Sequence, residues 1–104
     1  MNKLLSEFLG NTPHAKVLSY FLDYDNYDHS KTDISKETEV SRTTLHRIIK
    51  DMIDLGIIVK TRTVGMATMY IINNKNTVVK KLFDVEKELV INELSKTREI
   101  PSKN

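Results

Sequence analysis

Residues 32–65, TDISKETEVSRTTLHRIIKDMIDLGIIVKTRTVG, constrain the fold of this 104-residue chain more than any other stretch. Two short helical patterns meet at a tight turn, and a β-rich run follows at once. In the second pattern Leu45, Ile48, Ile49, Met52 and Leu55 recur at helical spacing and predict a buried face. Ser41 is positioned as its N-cap, and Gly56 as the C′ residue free to take a positive φ. Residues 57–63 are rich in β-formers, Val64, Gly65 and Met66 make a turn, and residues 67–73 return as the partner strand.

The surrounding chain adds helices. Leu4, Leu5, Phe8 and Leu9 form one face of a short helix over residues 3–9, ended by Gly10 and Asn11. Thr12 caps a second helix with Pro13 at its first position, and Val17, Leu18, Phe21 and Leu22 form its buried stripe. The segment DYDNYDHS reads as a solvated loop. Thr32 is the next expected N-cap, with a helix over residues 33–38 and with Ile34 and Val40 facing inward. Asn76 or Thr77 caps a last helix reaching about Thr97. The expected organisation is residues 1–75 as the main domain, 76–97 as a C-terminal helix, and 98–104 as a flexible tail.

Several function classes are set aside. The chain has no cysteine, so no disulfide framework or thiolate metal site is available. No apolar run approaches the ~18 residues of a membrane span, and the N-terminus lacks a signal-peptide layout; the expected compartment is the cytoplasm. Asp23, Asp25, Asp28 and His29 fail the spacing of a calcium loop, which needs Gly where Asp28 stands and Glu where Ile34 stands. His14, His29 and His46 lie on separate elements without ligand spacing. Neither a nucleophile elbow nor a glycine-rich phosphate loop is present. No enzymatic activity, cofactor or metal is expected.

Charge distribution points elsewhere. The net charge is +2, but residues 1–40 carry −3, residues 41–75 carry +4 and residues 76–104 carry +1. Positive charge has gathered on the second helix and the hairpin, where a phosphate backbone would lie. The major groove admits one α-helix, read by side chains at its N-terminal end. Arg42 and Arg47 are suited to guanine O6 and N7, Thr43 and Thr44 to a thymine methyl or a phosphate, and His46 to either partner. Lys50 suits a phosphate. Ser41 offers a hydroxyl, and Lys36, Lys60 and Arg62 add backbone contacts. The uncharged tip Val64-Gly65-Met66 is a poor minor-groove probe, so the hairpin is expected to touch backbone only.

At these residues the chain resembles the winged helix-turn-helix transcriptional regulators, especially small archaeal-type ones. The matching pieces are GNTPHAKVLSYFL, TDISKETEVSRTTLHRIIKDMIDLGIIVKTRTVG and MYIINNKNTVVKKL, covering most of residues 10–82. The resemblance implies a mainly α fold with a small β-hairpin and sequence-specific binding to double-stranded DNA, usually as a homodimer. The recognition helix would span about 42–55 and the wing 57–73. Carried over by position, the reading residues are Arg42, Thr43, His46, Arg47 and Lys50, with Arg62 in the wing. The family often has glycine at the turn position held here by Glu39, where a positive φ would cost about 1 kcal/mol.

The C-terminal helix carries the dimer expectation. Val78, Leu82, Val85 and Leu89 form one stripe, and Val79, Phe83, Val90 and Leu94 form another. That joint face is wider than docking on a small domain requires. Leu4, Leu5, Phe8 and Leu9 are candidates for the same interface. Burying four such side chains contributes roughly 6–12 kcal/mol before entropy costs. Two further functional readings stand beside the regulator: a plasmid or viral partition, replication or chromatin factor, and a winged-helix protein-interaction module that does not bind DNA.

Overall fold

The structure, a computed structural model, describes residues 3–98. The element order is α1 (Leu4–Phe8), α2 (Pro13–Asp23), β1 (His29–Ser30), α3 (Lys31–Thr38), α4 (Arg42–Asp54), β2 (Ile58–Val64), β3 (Ala67–Ile72) and α5 (Thr77–Arg98). The strands form an antiparallel sheet in the order β1-β3-β2. This is a mainly helical winged helix-turn-helix with a three-stranded wing and a long C-terminal helix.

Local chemistry fixes most helix ends. The Thr12 side chain accepts from the Ala15 amide, with Pro13 beginning α2. Ser41 accepts from the Thr44 amide and starts α4. Asn76 Oδ1 accepts from the amides of Val78 and Val79 at 2.7 and 3.2 Å and starts α5. Each satisfies amides that the first turn leaves without a helical partner. The start of α3 differs from the expectation. Ser30, not Thr32, is its cap, in a reciprocal box with Asp33, so α3 begins at Lys31.

The core is built where α2, α3 and α4 meet the sheet and the start of α5. Leu5, Val17, Phe21, Ile34, Leu45, Ile48, Ile49, Ile58 and Val79 are all at most 1% exposed. One expected core placement is corrected. Leu55 follows the last turn of α4 as its C-cap and is 71% exposed. On β3 it is Tyr70 and Ile72 that are buried, while Met69 and Ile71 are half-buried.

The segment expected as a solvated loop is partly internal. His29 pairs with Tyr70 across the β1–β3 ladder and is buried. Its Nε2 lies 2.9 Å from the Tyr24 carbonyl and its Nδ1 lies 3.0 Å from the Tyr20 hydroxyl. That pattern assigns the ring proton to Nε2, with Nδ1 accepting from Tyr20. Burial first, then the charges of Asp33 and Glu37, push the Tyr20 phenol up to about 12.

The turn between α3 and α4 holds Glu39 in the left-handed region at φ 62°. Ser35 Oγ donates to the Val40 carbonyl at 2.7 Å, and the Val40 amide donates to Thr38 Oγ1 at 3.3 Å. These bonds hold in place a conformation that a side-chain-bearing residue disfavours.

Helix α5 packs chiefly on α1. Val79 is fully buried, and Leu82, Phe83 and Leu89 are packed partly against the core. Val78, Val85, Ile91 and Leu94 are exposed, and every residue from 91 to 96 faces solvent. The tail expected over 98–104 lies, beyond Arg98, outside the described residues. No helix among the described residues is long and apolar enough to cross a membrane.

Candidate nucleic-acid interface

Helix α4 divides cleanly between two faces. Leu45, Ile48, Ile49 and Met52 face the core, and Arg42, Thr43, His46, Arg47 and Lys50 face solvent. Thr44 is half-buried. Its amide donates to Ser41 Oγ and its hydroxyl lies 3.1 Å from the same atom, so both oxygens serve the cap. No carboxylate appears on α4 before Asp51. The first two and a half turns therefore offer only cations, hydroxyls and an imidazole to an approaching ligand. The positive end of the helix dipole adds to that field.

Three of these side chains are positioned by neighbours. Arg42 Nη1 donates to Thr32 Oγ1 at 3.1 Å, tying the start of α4 to the start of α3. His46 Nδ1 lies 2.7 Å from Lys31 Nζ. Lys50 pairs with Asp54 at 3.1 Å, one turn along the same helix; both groups are solvated, so the pair contributes little stability. Arg47 has no hydrogen-bond or ion-pair partner among the described residues and projects freely.

The wing is more constrained than its sequence shows. Lys60 pairs with Tyr70 and Thr63 with Thr68, which leaves one extra residue on β2 between them. That bulge, at Thr61–Arg62, breaks the strand alternation. Both bulge side chains turn to one acid: Thr61 Oγ1 donates to Asp28 at 2.6 Å, and Arg62 donates twice, at 2.8 and 3.1 Å. These bonds hold the Asp28 carboxyl at about 2, with the Arg62 hydrogen bond the largest cause, and they raise Arg62 correspondingly. Arg62 is thus not a free cation, although its guanidinium remains largely exposed. Lys60 is exposed on the same strand. At the tip Met66 is wholly exposed and Val64 is 49% exposed.

The sequence-level residues are not all brought together. Arg42, His46, Thr43 and Arg47 share the α4 face, with Lys50 at its far end. Lys36 is exposed on α3, beside Glu37. Of the residues expected at a dimer interface, Leu5 is withdrawn: it is 0% exposed within its own core. Leu4, Leu82 and Leu89 are half-buried, whereas Phe8, Val78 and Val85 are exposed. Sequence reasoning missed Lys31, at the first position of α3, and Asp28. Both follow from strand β1, which sets where α3 begins.

Residues 16–59, less than half of the chain, match the model of a winged helix-turn-helix DNA-binding family. No curated protein matches the chain. Among solved structures, it is similar to a homodimeric winged helix-turn-helix domain from Mycobacterium bovis, described as a possible ArsR-family transcriptional regulator. That likeness has 17% identity, covers 89% of this chain and 81% of that one, and gives a TM-score of 0.61. A ferric uptake regulator from Francisella tularensis matches at 18% identity and TM-score 0.57 over 62% of this chain, which spans 53% of that regulator's length. A type III plasmid segregation protein, TubR, matches at 22% identity and TM-score 0.52, over 96% of this chain and 90% of that one. At these identities the likenesses establish the fold.

Proposed function

We propose that this winged helix-turn-helix DNA-binding protein acts as a homodimeric transcriptional regulator, with α4 read into the major groove and the wing laid on the phosphate backbone. The observation that carries the reading is the solvent face of α4. Arg42, Thr43, His46 and Arg47 stand together there with no carboxylate among them, on a helix whose other face is fully committed to the core. An arginine with no internal partner, such as Arg47, has the donor geometry for a guanine edge.

The wing contributes backbone contacts through Lys60 and the outer edge of Arg62, and its uncharged tip does not probe the minor groove. The dimer is supported by the apolar residues left exposed on α5. The Mycobacterium bovis domain is described as homodimeric. Two-fold symmetry would set two α4 helices about 34 Å apart, one turn of duplex.

Fluorescence anisotropy with random duplex and with fragments flanking the gene tests the reading. Selective binding that weakens steeply with salt is expected. The Arg42→Ala, Arg47→Ala double variant should lose about 1–3 kcal/mol per specific contact while keeping its fold. Unchanged affinity in the folded variant would remove α4 as the reading helix. The TubR likeness makes a segregation role the runner-up, which footprinting separates: tandem repeats or spreading favour it, and one discrete operator favours the regulator.

A further inference from the structure

Between the start of α3, the first turns of α4 and the tip-side part of β3 lies a cleft of about 230 Å3. Its walls include Lys31, Thr32, Arg42, His46, Thr68 and Tyr70, and no Asp or Glu lines it. Elsewhere three cations are matched to acids: Arg62 to Asp28, Lys50 to Asp54, Lys96 to Glu93. Here a lysine, an arginine and an imidazole converge with no acid in the lining.

Lys31 stands at the centre. Its ammonium lies 5.9 Å from the Tyr70 ring centre and 2.7 Å from His46 Nδ1. Partial burial, and then the charge of Arg42, depress its proton affinity. The fold therefore carries an electrostatic cost that a bound anion would offset. Donors are in surplus. The ammonium has three N–H groups and the guanidinium five; within the cleft Lys31 bonds to His46 and Arg42 to Thr32, one contact each among the described residues. Thr68 adds a hydroxyl on the wing side. Several donors around a small volume suit a tetrahedral oxyanion.

We propose that this cleft seats a phosphate group, with Lys31 as the residue that closes on it. The proposal rests on the DNA reading above, because the cleft shares Arg42 and His46 with the α4 face. Its occupant is then a backbone phosphate of the bound duplex, clamped between the helix-turn-helix and the wing. Inorganic phosphate is the other source of the same chemistry.

The test compares the full chain with its Lys31→Met variant, which keeps the hydrocarbon stem over Tyr70, and with Lys31→Arg. On duplexes carrying a neutral methylphosphonate at one linkage at a time, the parent protein should lose about tenfold affinity at one linkage per half-site. Lys31→Met should lose most of its sensitivity to that linkage, its salt slope should be shallower by about 1, and Lys31→Arg should restore both. A folded Lys31→Met protein with parental slope and parental linkage sensitivity overturns the proposal. Should the parent bind no duplex at all, the DNA reading fails by itself. Titration of inorganic phosphate at constant ionic strength, followed by His46 ring NMR signals, then decides the cleft. A saturable shift abolished by Lys31→Met keeps it as a seat for free phosphate, and no saturable shift removes it.

Discussion

Arg62 on β2 donates two hydrogen bonds to the carboxylate of Asp28, from Nε at 2.8 Å and Nη2 at 3.1 Å, reaching past the intervening strand β3. The pair fixes a wing arginine that would otherwise be mobile, and it cancels one positive charge on the proposed DNA face. Asp28→Asn should therefore steepen the salt dependence of duplex binding by about one phosphate equivalent and strengthen non-specific binding. The pairing has its own pH signature. The Asp28 carboxyl is depressed from 3.8 to about 2, so its contribution is complete above pH 3.8 and is lost as pH falls through about 2. Carboxyl 13C shifts followed by NMR check this; a midpoint near the ordinary value would mean the pair is not formed in solution.

Asp28 also marks the limit of what the chain discloses locally. Thr12, Ser41, Gly56 and Asn76 act on amides and carbonyls within a few residues, so helix ends α2, α4 and α5 were legible. The helix-turn-helix, the wing and the exposed α4 residues followed from them. Strand β1 is two residues long and has no periodicity; it exists because His29 pairs with Tyr70 and its ring meets Tyr20. Missing it displaced the α3 cap from Ser30 to Thr32, and so hid Lys31. Strand β3 reads ATMYII, apolar on both faces at its end, so alternation alone could not choose Tyr70 and Ile72 over Met69 and Ile71.

At the α3–α4 turn, Glu39 occupies a left-handed conformation at φ 62°. Glycine there removes a strain of about 1–2 kcal/mol and adds unfolded-chain entropy worth about 0.5–1 kcal/mol. Glu39→Gly should therefore raise stability by about 0.5 kcal/mol in urea unfolding. A loss of 1 kcal/mol or more would show that the Glu39 side chain supports the turn.

Gly56 and Asn76 lock the end of α4 to the start of α5. Gly56 has φ 76°, its carbonyl accepts from Asn76 Nδ2 at 3.0 Å, and a Cβ there would meet that nitrogen at 3.1 Å. Gly56→Ala should cost about 1–2 kcal/mol from backbone strain. Asn76→Ala should cost about 1 kcal/mol by loss of the α5 cap. Because both disturb one junction, the double variant should fall short of the sum, and strict additivity in chemical denaturation would argue against the coupling.

Asp23, the last residue of α2, and Glu86 on α5 bring two carboxyls together, with one oxygen of each shielded from solvent. Burial, then the hydrogen bond and charge of Asp23, push the Glu86 carboxyl from 4.5 up to about 7. Its folded-state value is raised, so the folded chain holds a proton that the unfolded chain releases. The associated stability is complete below pH 4.5 and is lost as pH rises through about 7. Melting temperature should decline across that window in the parent protein and less so in Glu86→Gln. Parallel profiles would show that the two carboxyls do not share a proton.

The exposed face of α5 separates dimerisation from folding. Val78 and Val85 are 55% and 39% exposed, so acidic side chains there can reach water in the isolated protomer. Leu82, between them in sequence, packs against the core. If that face joins two protomers, Val78→Glu with Val85→Glu should yield a folded monomer by sedimentation, because an unpaired charge in a closed interface costs several kcal/mol. Leu82→Glu should instead lower the melting temperature whatever the assembly state. DNA affinity supplies the second readout: losing the second half-site should weaken operator binding by orders of magnitude, while the salt slope per protomer stays the same. A double variant that sediments as the parent does would move the interface away from this stripe.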